Sequence, residues 1–220
     1  NKLFFFFLKG KQKMEIFLIV EYIGIISASI SGFLFAVRRA CDLLGIFIAA
    51  FLTALGGGIM RDVLVGRELY SFTHYMPVLL VLGAVLLSAV LGLHKSSRKG
   101  LEKSFIFIAT DAIDVVSFSI VGAVVALGFG LNIFGVVLIA FVNGVGGGIL
   151  RDVLLNEIPW LLNTGFYGTV SLLVGLIYFG LYHLGFDGII TMFVLCAFGV
   201  ILRLIAYYKN WQLPKINYEN

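Results

Sequence analysis

Two blocks of this sequence hold residue types that apolar helices rarely contain. Gly56-Gly57-Gly58 runs into Ile59-Met60-Arg61-Asp62-Val63-Leu64, and Gly146-Gly147-Gly148 runs into Ile149-Leu150-Arg151-Asp152-Val153-Leu154. Each sits near the middle of a long apolar stretch. Glycine costs about 1 kcal/mol relative to alanine in a helix interior, so three in a row make a weak, bendable point. Backbone unwound there would expose carbonyl oxygens, which hydrocarbon tolerates only where they line water or hold an ion. The same glycines would also let two helix backbones approach closely, and both readings stay open. The Arg-Asp doublets follow within one turn. A charge at that depth costs about 2.5–3.5 kcal/mol unless paired or hydrated. Arg61, Asp62, Arg151 and Asp152 therefore either pin each helix by ion pairs or face an aqueous passage and set its field. Glu21, Asp111 and Asp114 are the acids within apolar stretches that can neutralise the arginines. Thr53 and Asn143 lie three residues before the glycines, on nearly the same helix face. They can hydrate an ion or bond a neighbouring carbonyl.

Other chemistry lacks support. His74, His94 and His183 are scattered without metal-ligand spacing, and no Ser-His-Asp signature occurs. Gly144-x-Gly146 follows no strand and lies inside an apolar run, so it is not a nucleotide loop. The sequence predicts no enzyme, no cofactor and no metal centre. Cys41 and Cys196 are far apart and read as free thiols. The basic residues are spread between apolar segments and not clustered, which argues against a nucleic-acid partner.

The elements that must position these residues follow from composition. The 220 residues are 60% hydrophobic and 13% charged, with a mean hydropathy of +1.06. Soluble domains average about 45–50% apolar and about 25% charged, so this chain is a polytopic membrane body. A spanning helix needs roughly 20 mostly apolar residues, and seven stretches qualify: Ile16–Val37, Leu43–Val65, Pro77–Leu93, Phe105–Leu127, Ile133–Leu155, Gly165–Leu184 and Ile189–Tyr207. None alternates polar and apolar residues as a membrane barrel strand does. Residues 1–13 form a basic tail, with Met14 suited to a native start that would make the tail non-native. Membrane lipids are the expected surroundings.

Shifting the chain by 90 residues aligns Glu21–Val65 with Asp111–Leu155 without a gap, and 17 of the 45 positions are identical. A repeat of three spans must enter the membrane from opposite faces in its two copies. The expected fold is therefore all-α, with seven transmembrane helices as a 3+3 inverted repeat plus one C-terminal helix. Residues 14–95 would be the first repeat, 104–184 the second, 189–207 the seventh helix and 208–220 a C-terminal tail. Such architectures place binding or permeation near the midplane, between the copies. Counting Lys and Arg by side, with Arg61, Arg151 and Arg203 included and the tail set aside, gives two against ten. That places the C-terminus in the cytoplasm, in a cell (inner) membrane protein.

The doubled GGG-x-x-R-D block, in three-plus-three spans with a seventh helix, resembles the prokaryotic trimeric intracellular cation (TRIC) channels, related to bacterial proteins described as glycine transporters. The resemblance covers Met14 to Tyr208. It implies a homotrimer with an hourglass pore in each protomer, flanked by helices kinked at Gly56–Gly58 and Gly146–Gly148 and passing potassium or sodium. A secondary transporter of a small zwitterion such as glycine is the alternative, since inverted repeats with broken helices serve carriers equally well. A non-conducting lipid-binding scaffold is a third reading.

Overall fold

In hydrocarbon every backbone N–H and C=O must be paired within its own segment, so long apolar runs become helices. The computed structural model describes residues 11–93, 105–163 and 166–214, and every regular element within them is a helix. In chain order these are α1 (Lys11–Arg38), α2 (Leu43–Leu64), α3 (Tyr70–Thr73), α4 (Tyr75–Val90), α5 (Phe105–Gly128), α6 (Ile133–Leu154), α7 (Trp160–Asn163), α8 (Tyr167–His183) and α9 (Ile189–Tyr208). α1 from Phe17 onward, α2, α5, α6 and α9 are long and apolar enough to cross a membrane, while α4 and α8 are shorter apolar helices of 16 and 17 residues. The chain is a multi-pass membrane protein.

Helix ends differ from expectation by a few residues. α1 begins at Lys11, ahead of Ile16, and the third apolar helix is Tyr75–Val90 where Pro77–Leu93 was expected. Gly165 lies outside the described residues, and α8 begins at Tyr167. Sequence also missed the one-turn helices α3 and α7, because four residues are too few to leave a periodic signal.

α2 and α6 start and stop by the same chemistry. Asp42 accepts a hydrogen bond from the Gly45 N–H at 2.7 Å, and Asn132 accepts one from the Gly135 N–H at 3.0 Å. These side chains satisfy N–H groups that have no partner within the helix. At the other end Gly66 (φ 67°) and Asn156 (φ 55°) take the left-handed conformation. The following N–H groups of Arg67 and Glu157 each reach back 2.8 Å to the carbonyls of Asp62 and Asp152, closing the helix in the Schellman manner. Asp42→Ala or Asn132→Ala is expected to destabilise the protein by about 1 kcal/mol, a fall in Tm of roughly 2–4 °C. Thermal melting in detergent checks this.

α5 is the centre of the molecule. It is buried along almost its whole length and touches α1, α6, α8 and α9. A helix apolar on all sides can be covered this completely. Small residues bring its neighbours in: a methyl on Gly122 would lie 2.9 Å from Ala140 Cα, and one on Gly32 of α1 would lie 2.7 Å from Ala50 Cα. One apolar cluster joins α1, α5, α6, α8 and α9, and a second joins α1, α2, α4 and α5. Both cysteines are free thiols.

Candidate functional site

α2 and α6 cross at their glycines. A Cβ on Gly57 would collide with the Asn143 carbonyl oxygen, and one on Gly147 with the Thr53 carbonyl oxygen. Each helix thus presents its central glycine to the backbone of the other, and no ion fits between them at that point. The expectation of unwound backbone is not met, because α2 and α6 each continue as one α-helix through Gly56–Gly58 and Gly146–Gly148. The glycines serve the crossing itself, where any side chain would hold the helices apart.

Thr53 bonds its own helix, donating from Oγ1 to the Ala49 carbonyl at 2.7 Å. Its repeat mate behaves differently. Asn143 donates from Nδ2 to the Phe118 carbonyl at 2.6 Å, while its Oδ1 is buried with no hydrogen-bond partner. That oxygen lies 3.9 Å from where a Cβ on Gly58 would be.

Beyond the glycines the two Arg-Asp doublets are almost completely buried, at 1–2% exposure. Burial at this level requires compensation. Arg61 Nε donates to Asp62 Oδ1 at 2.8 Å and Nη1 to Glu21 Oε1 at 3.3 Å, joining α2 to α1. Asp62 Oδ1 also lies 3.5 Å from Arg67, and Asp62 Oδ2 accepts the Tyr70 N–H at 3.0 Å. Arg151 Nε and Nη2 both reach Asp152 Oδ1, at 2.9 and 2.8 Å, and Asp152 Oδ2 accepts the Trp160 N–H at 2.8 Å. Each aspartate therefore holds its arginine with one oxygen and starts a one-turn helix, α3 or α7, with the other.

The two halves then diverge. Asp111, the mate of Glu21, does not pair with Arg151. It faces Arg203 of α9, with Nη2 3.7 Å from Oδ2, and accepts from the Tyr167 hydroxyl at 3.0 Å. The Arg151 guanidinium instead lies over the Phe35 ring, 4.0 Å from its centre, a cation–π contact between the halves. Asp114 makes no ion pair among the described residues, and its Oδ2 is buried without a hydrogen-bond partner. Of the three acids expected to neutralise the arginine doublets, only Glu21 does so by an ion pair.

Arg203 is the residue sequence reading misplaced. The count of Lys and Arg by side treats it as a flanking charge, but it is 2% exposed and stacks 4.7 Å over the Tyr167 ring. The signal was present: an arginine within the apolar run Ile189–Tyr208 must face protein. Arg61 and Arg151 are buried too, so none of the three belongs in a count of loop charges. A cavity of about 20 Å³, lined by Glu21, Arg61, Asp62, Gly58, Tyr70 and Phe118, adjoins the first cluster. It has room for about one water molecule.

Comparison with known proteins puts this arrangement in context. A family model described as glycine transporter matches residues 18–95 and 108–183. The UPF0126 membrane protein YvgT of Bacillus subtilis is 32% identical over 207 residues, spanning 91% of this chain and 96% of its own length. The UPF0126 inner membrane protein YadS of Escherichia coli is 30% identical over 196 residues, spanning 89% of this chain and 93% of its own. A structure solved for the structural basis of conductance through TRIC cation channels superposes with a TM-score of 0.81 at 32% identity, covering 92% of this chain and 98% of that one. A prokaryotic TRIC channel crystallised in 0.5 M KCl gives a TM-score of 0.76 at 31% identity, covering 91% of this chain and 100% of its own. The TRIC orthologue from Rhodobacter sphaeroides shares the fold, with a TM-score of 0.80 at 23% identity over 88% of this chain and 98% of its own.

Proposed function

This chain belongs to the trimeric intracellular cation (TRIC) channel family, and from that membership we propose that it is a monovalent-cation channel, permeable to potassium, with a path through each protomer. The observation that carries the reading is the α2–α6 crossing at Gly57 and Gly147, with a charge-compensated Arg-Asp doublet one turn beyond each. Buried ionisable groups at membrane depth are costly and characteristically mark an internal polar route. Arg61 has Glu21 and Asp62 beside it, so it does not repel a passing cation as a bare guanidinium would. The direct backbone contact makes this a closed arrangement, and opening requires α2 and α6 to bend at the glycines that flank the contact. Partial dehydration by carbonyl and side-chain oxygens would then replace part of the ion's water shell.

The proposed topology is seven membrane helices: a 3+3 inverted repeat of residues 14–95 and 104–184, then α9. The two stretches matched by the family model start 90 residues apart, the same offset as the internal alignment, which supports a duplicated unit. With the three buried arginines removed, the flanking Lys and Arg on the two sides number five against eight, or one against eight without the lysines of residues 1–13. Both counts favour a cytoplasmic C-terminus in an inner membrane. We take the assembly to be a homotrimer surrounded by lipid, as the family name describes.

The test is recording from purified protein in a planar bilayer under a potassium gradient. Unitary currents reversing toward the potassium potential are expected. The family model's description favours a second reading, a glycine carrier; saturable glycine uptake into liposomes without unitary currents would replace the channel reading with that one. Neither current nor uptake overturns both. Gly58→Ala and Gly148→Ala separate bending from packing, because their nearest neighbours would lie at ordinary distances, 3.7 and 3.8 Å. These variants are expected to fold with unchanged or higher Tm, since alanine is favoured over glycine by about 1 kcal/mol. Their open probability is expected to fall several-fold, and wild-type currents in the folded double variant would remove the bending mechanism.

A further inference from the structure

We propose that the first half of the protein binds one buried water molecule, hydrogen-bonded to Glu21 Oε2 in the cavity beside the Arg61-Asp62 doublet. The cavity is about 20 Å³, which admits about one water. Glu21, Arg61, Tyr70, Ser71, Pro77 and Phe118 are on its wall. Glu21 Oε1 accepts from Arg61 Nη1 at 3.3 Å, whereas Oε2 is buried with no hydrogen-bond partner among the described residues. A carboxylate oxygen stripped of water and given no donor is costly. A water in the cavity supplies that donor. Buried waters typically make about three hydrogen bonds, and the Arg61 guanidinium, the Asp62 carboxylate and the hydroxyls of Tyr70 and Ser71 offer the others.

The second half has a protein group where the first half has this cavity. The shift of 90 residues persists through α3 and α7, because Asp62 holds the Tyr70 N–H as Asp152 holds the Trp160 N–H. The same shift sets Glu21 against Asp111 and Pro77 against Tyr167. The Tyr167 hydroxyl donates to Asp111 Oδ1 at 3.0 Å and lies 3.9 Å from where a Cβ on Gly148 would be. Tyr167 also packs in one apolar cluster with Val115 and Val145. The mates of Gly148, Val115 and Val145 are Gly58, Ile25 and Leu55, and all three line the first-half cavity. Proline carries no hydroxyl and is far shorter than tyrosine. The space a phenol fills in one half is therefore open in the other, and water does for Glu21 what the Tyr167 hydroxyl does for Asp111.

The charges call for a neutral occupant. Glu21 and Asp62 face Arg61 and Arg67, two acids against two cations. An alkali ion would leave this buried site with an uncompensated positive charge, and water adds none. The site is independent of conduction, and a carrier or a scaffold would hold the same water.

Two measurements on the purified full chain test the proposal. In crystals grown in rubidium chloride that resolve ordered waters, one peak is expected about 2.5–3.0 Å from Glu21 Oε2, without the anomalous signal of rubidium. Radiolytic labelling with X-rays in detergent needs no crystal, because radicals formed from a bound water oxidise the side chains beside it. Phe118 and Phe35 are both 6% exposed and share one apolar cluster, but of the two only Phe118 lines the cavity. Phe118 is expected to label several-fold faster than Phe35. A map without the peak, a peak that carries rubidium signal, or equal labelling of the two rings overturns the proposal.

Discussion

Gly57→Ala or Gly147→Ala is expected to lower Tm by roughly 10 °C. The new methyl would fall on a backbone carbonyl oxygen, that of Asn143 or of Thr53. A side chain can rotate away from such a clash, but helix backbone cannot. The only relief is to separate α2 from α6, which opens the contact that both halves share. Overpacking of this kind costs about 3 kcal/mol or more, equivalent to roughly 10 °C in a chain of this size. The neighbouring glycines set the scale. A methyl on Gly56 would meet the Leu150 Cδ1 at 2.9 Å and one on Gly146 the Met60 sulfur at 3.0 Å, flexible ends that can move. At Gly58 and Gly148 the nearest atoms would lie at ordinary contact distance, 3.7 and 3.8 Å. Tm should therefore fall most at 57 and 147, less at 56 and 146, and not at 58 and 148. A Gly57→Ala protein that elutes as wild type and melts within 2–3 °C of it would show that the crossing is looser than described.

Removing Arg203 is the second change with a large expected effect. Arg203→Met keeps an unbranched apolar stem and deletes the charge facing Asp111, a residue 1% exposed. Breaking a buried pair from one side typically costs about 3–5 kcal/mol, because the remaining charge is stranded. The Tyr167 hydroxyl still donates to Asp111 Oδ1, so the lower end of that range applies. The loss should be conditional. In an Asp111→Asn background there is no charge to strand, and the double variant is expected to melt well above Arg203→Met alone. A double-mutant cycle reads the coupling directly. Additive effects would mean that Arg203 contributes through packing on Tyr167 and not through Asp111. Because Arg203 is on α9, the cycle also measures how firmly the last helix is joined to the repeat it follows.

The sequence by itself determined the class of the protein and the location of its polar core. Apolar runs near bilayer length leave helix as the only way to pair the backbone, so composition sufficed for an all-helical membrane body. Identity between two stretches 90 residues apart singled out the glycine and Arg-Asp blocks, and the structure buries both doublets at corresponding places. The apolar runs also placed the starts of α2 and α6 at Leu43 and Ile133, where the Asp42 and Asn132 caps reach only three residues along the chain.

Only the tertiary structure decided what those residues touch. Sequence offered close packing or unwinding for the tri-glycine blocks; the answer depends on which backbone lies opposite, and Asn143 and Thr53 are 86 and 94 residues away from the glycines they meet. The pairing of acids with arginines was similarly out of reach. Repeat symmetry suggests that Asp111 treats Arg151 as Glu21 treats Arg61, yet two residues break that symmetry. Phe35 offers Arg151 a ring where the mate of Phe35 is Val125, and α9, which has no counterpart, brings Arg203 to Asp111. The length of the apolar runs marks which charged groups lie at membrane depth. Which partner neutralises each buried charge is set by three-dimensional neighbours, because Coulomb and hydrogen-bond energies fall off within a few ångströms of space and take no account of distance along the chain.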